Sequence, residues 1–330
     1  MDSREIRLAA RPTGIPSAAT FSFATVEVPP PVDGQVLVRN LFMSVDPYMR
    51  GRMNDMKSYV PPFQVGQPLE GGAIGEVVES RAPAIPAGAI VTSTKGWRDR
   101  FVADASKVRV VDSSVQPLSL YLGALGTTGF TAWVGLDLVG VKAGDVIFIS
   151  AAAGAVGSFA GQLAKLRGCR VIGSAGSAEK VRLLTSELGF DAAFNYKAEE
   201  VYAQLKQAAP DGIDVYFDNV GGDHLEAALS SLRVHGRVIA CGSIAGYNAD
   251  RPVPGPRNMF LIVTKRLTIR GFIVIDSLKR MPEFLAEVAP LVTSGRIRSK
   301  ETIVEGLERA PQAFLDLFSG ENVGKMVVKI

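Results

Sequence analysis

VIFISAAAGAVGSFAGQLA, residues 146–164, changes its apolar period halfway along, and that change decides the fold. Residues 146–149 are β-favouring and apolar, a run short enough for a strand buried on both faces. Ser150 to Ala153 interrupt the run. From Val156 the apolar positions Val156, Phe159, Ala160, Leu163, Ala164 and Leu166 follow helical spacing, and Gly168 stands where a helix ends. A strand thus passes into a helix across a turn of small residues. The turn reads Ala151-x-x-Gly154-x-x-Gly157, a variant of the glycine fingerprint of dinucleotide-binding βαβ units with alanine in first place. In such a turn the first small residue permits the tight bend, Gly154 lets the main chain approach a pyrophosphate, and Gly157 lets the helix lie close to the sheet. The helix then presents unpaired N–H groups and the positive end of its dipole to the phosphates. Three small residues at this spacing also suit a crowded packing turn with no ligand. A second strand over residues 170–173, which a βαβ unit requires, favours the nucleotide reading. The stretch carries no charge and approaches the length of a membrane span. Its three glycines, two serines and one glutamine, with the change of period, argue against a continuous transmembrane helix.

A chain of 330 residues is long enough for two domains. Apolar content of 47% and charged content of 21% fit an ordinary soluble globular protein. The formal net charge is +3 and the Lys and Arg residues are dispersed, so no nucleic-acid surface is expected. The opening MDSREIRLAARP has no apolar h-region, so no signal peptide is read and a cytoplasmic protein is expected. The two cysteines, Cys169 and Cys241, supply neither a disulfide framework of any size nor a four-cysteine zinc site. Both fall in or beside expected core strands, where cysteine acts as a small apolar residue. His224 and His235 form no spaced ligand cluster with cysteine or carboxylate, so no metal is expected.

Before the turn, short apolar alternations broken by Pro and Gly run from Ile6 to about Ser119: residues 21–28, 35–42, 72–79, 89–93 and 101–111. They describe a β-rich domain. Residues 44–67, SVDPYMRGRMNDMKSYVPPFQVGQ, read as an irregular loop of the kind that carries sites. Tyr48 and Tyr59 in it suit a pocket lining and a barrel rim equally. Residues 123–129 form a turn-rich joint leading into a helix through Thr131, Ala132, Trp133 and Leu136. From Asp145 onward, strands at 146–149, 170–173, 192–194, 213–218 and 236–241 alternate with helices at 155–167, 178–188, 199–208 and 223–232. That alternation marks a parallel, doubly wound sheet, an α/β fold. A further strand at 267–274 follows a Gly- and Pro-rich loop. After a helix near 282–293, the tail has β-like pieces at 300–304 and 325–330 around a helix at 308–318, placed to rejoin the first domain.

An NAD-preferring site ends its second strand with Asp or Glu to bond the adenosine ribose. Here the region reads VIGSAGS, residues 171–177, with no acid, and Lys180 follows at the start of a helix. Hydroxyls such as that of Ser177, a helix N-terminus and an ammonium favour a 2′-phosphate, and hence NADP.

SAAAGAVGS (150–158), GSAGSAEK (173–180), LGFDAAFNY (188–196), DGIDVYFDNVGG (211–222) and CGSIAGYN (241–248) together resemble the zinc-free branch of the medium-chain dehydrogenase/reductase superfamily. Within it the chain is most similar to the leukotriene B4 dehydrogenase, prostaglandin reductase and 2-alkenal (double-bond) reductase family. SVDPYMR (44–50) and ENVGKMVV (321–328) extend the likeness to nearly the whole chain. The resemblance implies a GroES-like catalytic domain at 1–122, completed by 295–330, and a Rossmann domain at 123–294. It implies NADP(H) in the cleft between them, and a homodimer joined through Rossmann edge strands. By matched motif position, Ala153, Gly154, Ala155, Val156 and Gly157 meet the pyrophosphate, and Ser177, Lys180 and Tyr196 surround the 2′-phosphate. Asn219, Cys241, Gly242, Ser243, Ile244, Phe272, Ile273, Val274 and Asn322 correspond to nicotinamide and ribose contacts. Gly126-Thr-Thr-Gly129 departs from the family, which more often has Met and then Pro or Thr before the glycine. Thr127 and Thr128, with Tyr48, are therefore the less certain substrate-side candidates.

The implied chemistry is hydride transfer from NADPH to the β-carbon of an α,β-unsaturated ketone or aldehyde. An enolate results, and with no metal a preorganised donor must stabilise it. The motif assigns that role to Tyr247, whose phenol donates while staying neutral. A zinc-free quinone reductase would use the same fold and cofactor, and a non-catalytic NADP(H)-binding sensor would use the binding half alone. A zinc alcohol dehydrogenase lacks its ligands.

Overall fold

The structure, a computed structural model, describes residues 1–251 and 253–330; Pro252, within the 242–260 loop, lies outside the described residues. The described residues divide into two compact units. One comprises Met1–Leu122, Glu301–Asn322 and Met326–Ile330, the other Gly123–Lys300 and Val323–Lys325. The sequence expectation placed the return to the first domain at 295. The structure places it at Glu301, because Arg298 is held to the second unit: its backbone N–H donates to Gln162 Oε1 at 2.8 Å, and its carbonyl accepts from Gln162 Nε2 at 3.0 Å.

The first unit opens with β1 (Asp2–Leu8) paired antiparallel to β2 (Phe21–Glu27). Then come β3 (Gln35–Ser44), the single turn α1 (Met49–Arg52), β4 (Ala73–Ser80), β5 (Ile90–Ser93), β6 (Arg100–Asp104) and β7 (Arg109–Val110). Three differences from the sequence reading appear. β1 was not expected. The run 101–111 is cut by a 3₁₀ turn at Ala105–Lys107, and α1 interrupts the loop 44–67.

The second unit begins with α2 (Thr127–Leu138) and then alternates: β8 (Val146–Ile149), α3 (Ala155–Leu166), β9 (Arg170–Ala175), α4 (Ala178–Ser186), β10 (Ala192–Asn195), α5 (Val201–Ala208), β11 (Ile213–Asp218), α6 (Gly222–Ser231) and β12 (Leu232–Ala240). It closes with α7 (Leu261–Thr264), β13 (Thr268–Gly271) and α8 (Met281–Thr293). β12 starts four residues ahead of its expected start, directly out of α6, and β13 is shorter than the 267–274 run, leaving Phe272–Val274 beyond its end. The C-terminal segments β14 (Glu301–Glu305), α9 (Ala310–Ser319) and β15 (Lys325–Lys329) complete the chain. In the first unit's large sheet the order is β14-β15-β3-β4-β5-β7, with β6 also paired to β3. Its core joins strand and tail: Trp97 stacks on Phe21 at 6.0 Å and meets the edge of Phe314, on α9, at 6.3 Å.

The second sheet runs β10-β9-β8-β11-β12-β13, every neighbour parallel. This is the doubly wound order, whose direction of winding reverses between β8 and β11. Such a sheet needs both faces covered. On one face Phe148 of β8 lies between Phe194 at 5.6 Å and Tyr216 at 5.1 Å, both stacked. On the other, Phe130, Trp133, Phe159 and Phe284 from three helices cluster with ring separations of 5.3 to 6.4 Å.

The βαβ unit at the centre is packed tightly enough to dictate glycine. A Cβ on Gly161 of α3 would stand 2.0 Å from Phe190 Cζ, and one on Gly173 of β9 would stand 2.9 Å from the same ring. Phe190 therefore fills the space left by two missing side chains. Gly161→Ala should destabilise the protein by about 1–3 kcal/mol in urea denaturation, with part of the loss recovered when Phe190→Leu is added. An unchanged unfolding midpoint would show that the ring is free to retreat.

Candidate nucleotide and active site

Ligands in doubly wound sheets sit beyond the carboxyl ends of the strands where the winding reverses. At the end of β8 the chain enters the small-residue turn with Ala151 at φ 48, a left-handed conformation that ordinarily calls for glycine. Ala152 N–H donates to the Ser174 carbonyl at 2.9 Å and Gly154 N–H to the Ala151 carbonyl at 3.0 Å. Gly154 is the N-cap of α3, and no side chain caps that terminus. The first N–H groups of α3 thus have no intrahelical acceptor, and the positive end of the helix dipole is left for an anion. A Cβ on Gly157 would stand 2.5 Å from the Ala151 carbonyl oxygen and 2.8 Å from Ala152 Cα. The turn is closed from outside by the C-terminal segment: Gly324 N–H donates to the Ala153 carbonyl at 2.8 Å.

At the end of β9 no carboxylate side chain ends the strand, and the first acid after it in sequence, Glu179, is exposed in the first turn of α4. Ser177 caps that helix, its Oγ accepting from Lys180 N–H at 3.3 Å, so its own proton remains available to a ligand. Tyr196 reaches back over Gly176, with its hydroxyl 3.1 Å from where a Cβ on that glycine would stand. Its ring meets His224 edge-on at 5.1 Å. The structure therefore brings Ser177, Lys180 and Tyr196 to the neighbouring ends of β9 and β10.

A third group gathers at the ends of β11 and β12. Asn219 N–H donates to Ser150 Oγ at 3.0 Å, and its side-chain Nδ2 donates to the Ser150 carbonyl at 2.8 Å. Cys241 and Gly242 N–H groups both donate to the Asp218 carbonyl, at 2.9 and 3.0 Å, and Ile244 N–H donates to the Asn219 carbonyl at 3.2 Å. Ser243 N–H donates to Tyr247 Oη at 3.3 Å. The Tyr247 oxygen is thereby supplied with a donor, and among the described residues its own O–H is given to no acceptor. Burial raises the Tyr247 phenol above its ordinary value, so it is neutral and a donor through the physiological range. Burial likewise pushes the Cys241 thiol up to about 12, which keeps it out of thiolate chemistry. Phe272, Ile273 and Val274 follow β13, one strand further along the same edge, and among the described residues no hydrogen bond ties them to this group.

The remaining candidates are not brought to this cluster by the second unit's own contacts. Thr128 Oγ1 donates to the Gly123 carbonyl at 2.9 Å, ahead of the helix, and Thr127 is exposed. In the first unit, Tyr48 precedes α1 and is half exposed, with its phenol raised by burial and by Asp46; Tyr59 is exposed, and Asn322 lies just ahead of β15. Sequence reasoning missed Ser150 and Tyr216, the two buried hydroxyls beneath Asn219. Only a strand pairing juxtaposes them, and no local motif announces it. Among the described residues, no group of three or more His, Cys, Asp and Glu is placed to hold a metal ion, and no helix is long and apolar enough to cross a membrane.

Residues 4–111 match a family model described as the N-terminal domain of oxidoreductase, and residues 155–290 match one described as zinc-binding dehydrogenase. A putative NADP-dependent oxidoreductase of Bacillus subtilis is 46% identical over 99% of this chain and 97% of its own. A 2-alkenal reductase (NADP(+)-dependent) of Nicotiana tabacum is 42% identical over 96% of this chain and 94% of its own. Among solved structures, CurA from Vibrio vulnificus in complex with NADPH superposes with a TM-score of 0.94 at 40% identity, covering 99% of this chain and 98% of that one.

The buried histidine beside Tyr196 carries a pH signature. His224 Nε2 lies 3.1 Å from Ser174 Oγ, and burial lowers its pKa from 6.5 to about 4 against a smaller opposing pull from Asp223. The unfolded chain then binds the proton more readily than the folded one. Stability from this group is full above pH 6.5 and is lost as pH falls towards about 4, a loss of about 3 kcal/mol. Denaturation across that window should show the slope, and His224→Gln should flatten it. A His224 NMR titration midpoint at its ordinary value would contradict the assignment.

Proposed function

Because this chain belongs to the zinc-free branch of the medium-chain dehydrogenase/reductase superfamily, among the alkenal and prostaglandin reductases, we propose that it reduces the C=C bond of α,β-unsaturated ketones and aldehydes with NADPH. The carrying observation is Tyr247, a neutral phenol fixed beside Asn219 and the Cys241–Ile244 backbone with its proton to spare.

The second unit fits the cofactor. The uncapped start of α3 and the Ala153–Gly157 backbone suit a pyrophosphate, and Ser177, Lys180 and Tyr196, with no acid at the end of β9, suit a 2′-phosphate. Asn219, Cys241, Gly242, Ser243, Ile244, Phe272, Ile273, Val274 and Asn322 would hold the nicotinamide half. When bound, NADPH supplies the hydride that the substrate β-carbon receives. Tyr247 donates its O–H to the carbonyl oxygen as negative charge collects there, an interaction stronger in the transition state than in the ground state. Burial keeps that phenol from ionising and so preserves the donor. Tyr48, Thr127 and Thr128 are proposed to line the substrate side. A cytoplasmic location is proposed for an enzyme that draws on soluble NADPH.

A homodimer is proposed through β13. Its four residues are all exposed and its only partner strand among those described is β12, and Ile269 there stands near the exposed Phe260 and Val263 in sequence. An open edge with apolar side chains is suited to pairing with a second copy.

Loss of NADPH absorbance should accompany addition of enals and enones. Turnover of quinones in their place, or NADPH binding with no turnover of either, would contradict the reading. Tyr247→Phe should lower kcat/KM for enones by about 10²- to 10³-fold while leaving NADPH affinity intact; unchanged enone reduction would remove Tyr247 from the chemistry. Lys180→Met should raise the KM for NADPH by about tenfold and leave that for NADH unmoved, whereas equal effects on both would displace the 2′-phosphate from this site. In sedimentation, Ile269→Lys should convert a dimer to a monomer, and an unaltered dimer would place the interface elsewhere.

A further inference from the structure

Beneath Asn219, where β8 and β11 lie side by side, buried polar groups form a single chain of hydrogen bonds. Ser150 and Tyr216 are fully buried and Asp218 nearly so. Asn219 N–H lies 3.0 Å from Ser150 Oγ, Ser150 Oγ lies 3.0 Å from Tyr216 Oη, and Tyr216 Oη lies 2.8 Å from Asp218 Oδ1. Asp218 Oδ1 also accepts the Val220 and Gly221 N–H groups, at 3.0 and 2.7 Å.

The proton inventory fixes the direction of this chain. An oxygen that already accepts two N–H groups is an acceptor towards Tyr216 as well, so the single phenolic proton is given to Asp218. Ser150 then donates its proton to Tyr216, since the Phe217 carbonyl is more distant at 3.4 Å. A lone pair of Ser150 remains for Asn219 N–H, which can only donate. The Asn219 side chain is oriented by the same serine: Nδ2 is committed to the Ser150 carbonyl, so Oδ1 is left to accept from a ligand.

We infer that Tyr216 is a positioning residue of the cofactor site, acting through Ser150 to hold Asn219 so that its carboxamide oxygen accepts a hydrogen bond from the nicotinamide half of the cofactor. This rests on the proposed NADPH reading and adds to it two residues that touch no ligand. The arrangement joins the end of β8, which leads into the phosphate turn, to the end of β11, which carries Asn219. Removing one hydroxyl from the middle breaks a connection between them without opening a cavity larger than an oxygen atom, because the Tyr216 ring stays stacked on Phe148 at 5.1 Å. A buried chain of this kind is cooperative, so its members act as a unit.

The test uses the full-length protein and two ligands measured by calorimetry: NADPH, and 2′,5′-ADP, which has the adenosine phosphates and lacks the nicotinamide half. Tyr216→Phe should weaken NADPH by about three- to tenfold and leave 2′,5′-ADP within about twofold. Ser150→Ala should do the same, and the double variant should lose no more than either single one. Weakening of both ligands alike, unchanged NADPH affinity, or losses that add in the double variant would each overturn the inference. Should Tyr216→Phe fail to fold, Ser150→Ala decides on the same readouts. A wild-type protein that binds neither ligand overturns the cofactor reading itself, and this inference with it. A wild-type protein that binds both, with variants showing no selective loss, overturns the inference alone.

Discussion

A Cβ at position 157 would stand 2.5 Å from the Ala151 carbonyl oxygen, and the second unit depends on that space being empty. The first turn of α3 can lie against the end of β8 only if one of them gives up a side chain. Once it does, the helix terminus is left uncapped at the carboxyl edge of the sheet, with N–H groups and a dipole that nothing in its own turn satisfies. The closeness that packs the helix therefore also creates the anion site. Ala151 at φ 48 shows the cost of the same geometry on the other side of the turn, where a residue with a Cβ is held in a glycine conformation.

Around this turn the carboxyl ends of four strands divide the work. β9 and β10 offer Ser177, Lys180 and Tyr196, and the missing acid there matters as much as the groups present. β11 and β12 offer Asn219, the Cys241–Ile244 backbone and Tyr247, knitted by hydrogen bonds that run between the two strands' ends. Burial acts in one direction on the titratable groups of this second cluster. It keeps Tyr247 a phenol and Cys241 a thiol, so a neutral hydrogen-bond donor stands there and a thiolate nucleophile does not.

The sequence showed β8, α3 and the alternation after them because the apolar period changes from two-sided burial to a helical stripe at a run of small residues. It did not show β1, and the reason is specific: the inward-facing residues of that strand include Ser3 and Glu5, which are polar. Ser3 is satisfied by the backbone of Arg100 at 2.9 and 3.0 Å, and Glu5 by Arg7 at 2.6 Å, so polar groups occupy positions that a hydrophobic pattern would reserve for apolar ones. The start of β12 was hidden for another reason, since α6 runs into it with no turn residue to mark the boundary. In the site, Gly154, Ser177 and Lys180 belong to local motifs and were legible. The contact between Ser150 and Tyr216 spans 66 residues and exists only once β8 and β11 are paired, so no local reading reveals it.

Ser177, Lys180 and Tyr196, with no carboxylate ending β9, suit the 2′-phosphate that distinguishes NADPH from NADH. Calorimetric titration of the purified chain with NADPH and, separately, with NADH tests this most directly. NADPH should bind at least about tenfold more tightly, in keeping with a charge-assisted 2′-phosphate contact. Equal affinity for the two, or tighter binding of NADH, would contradict it.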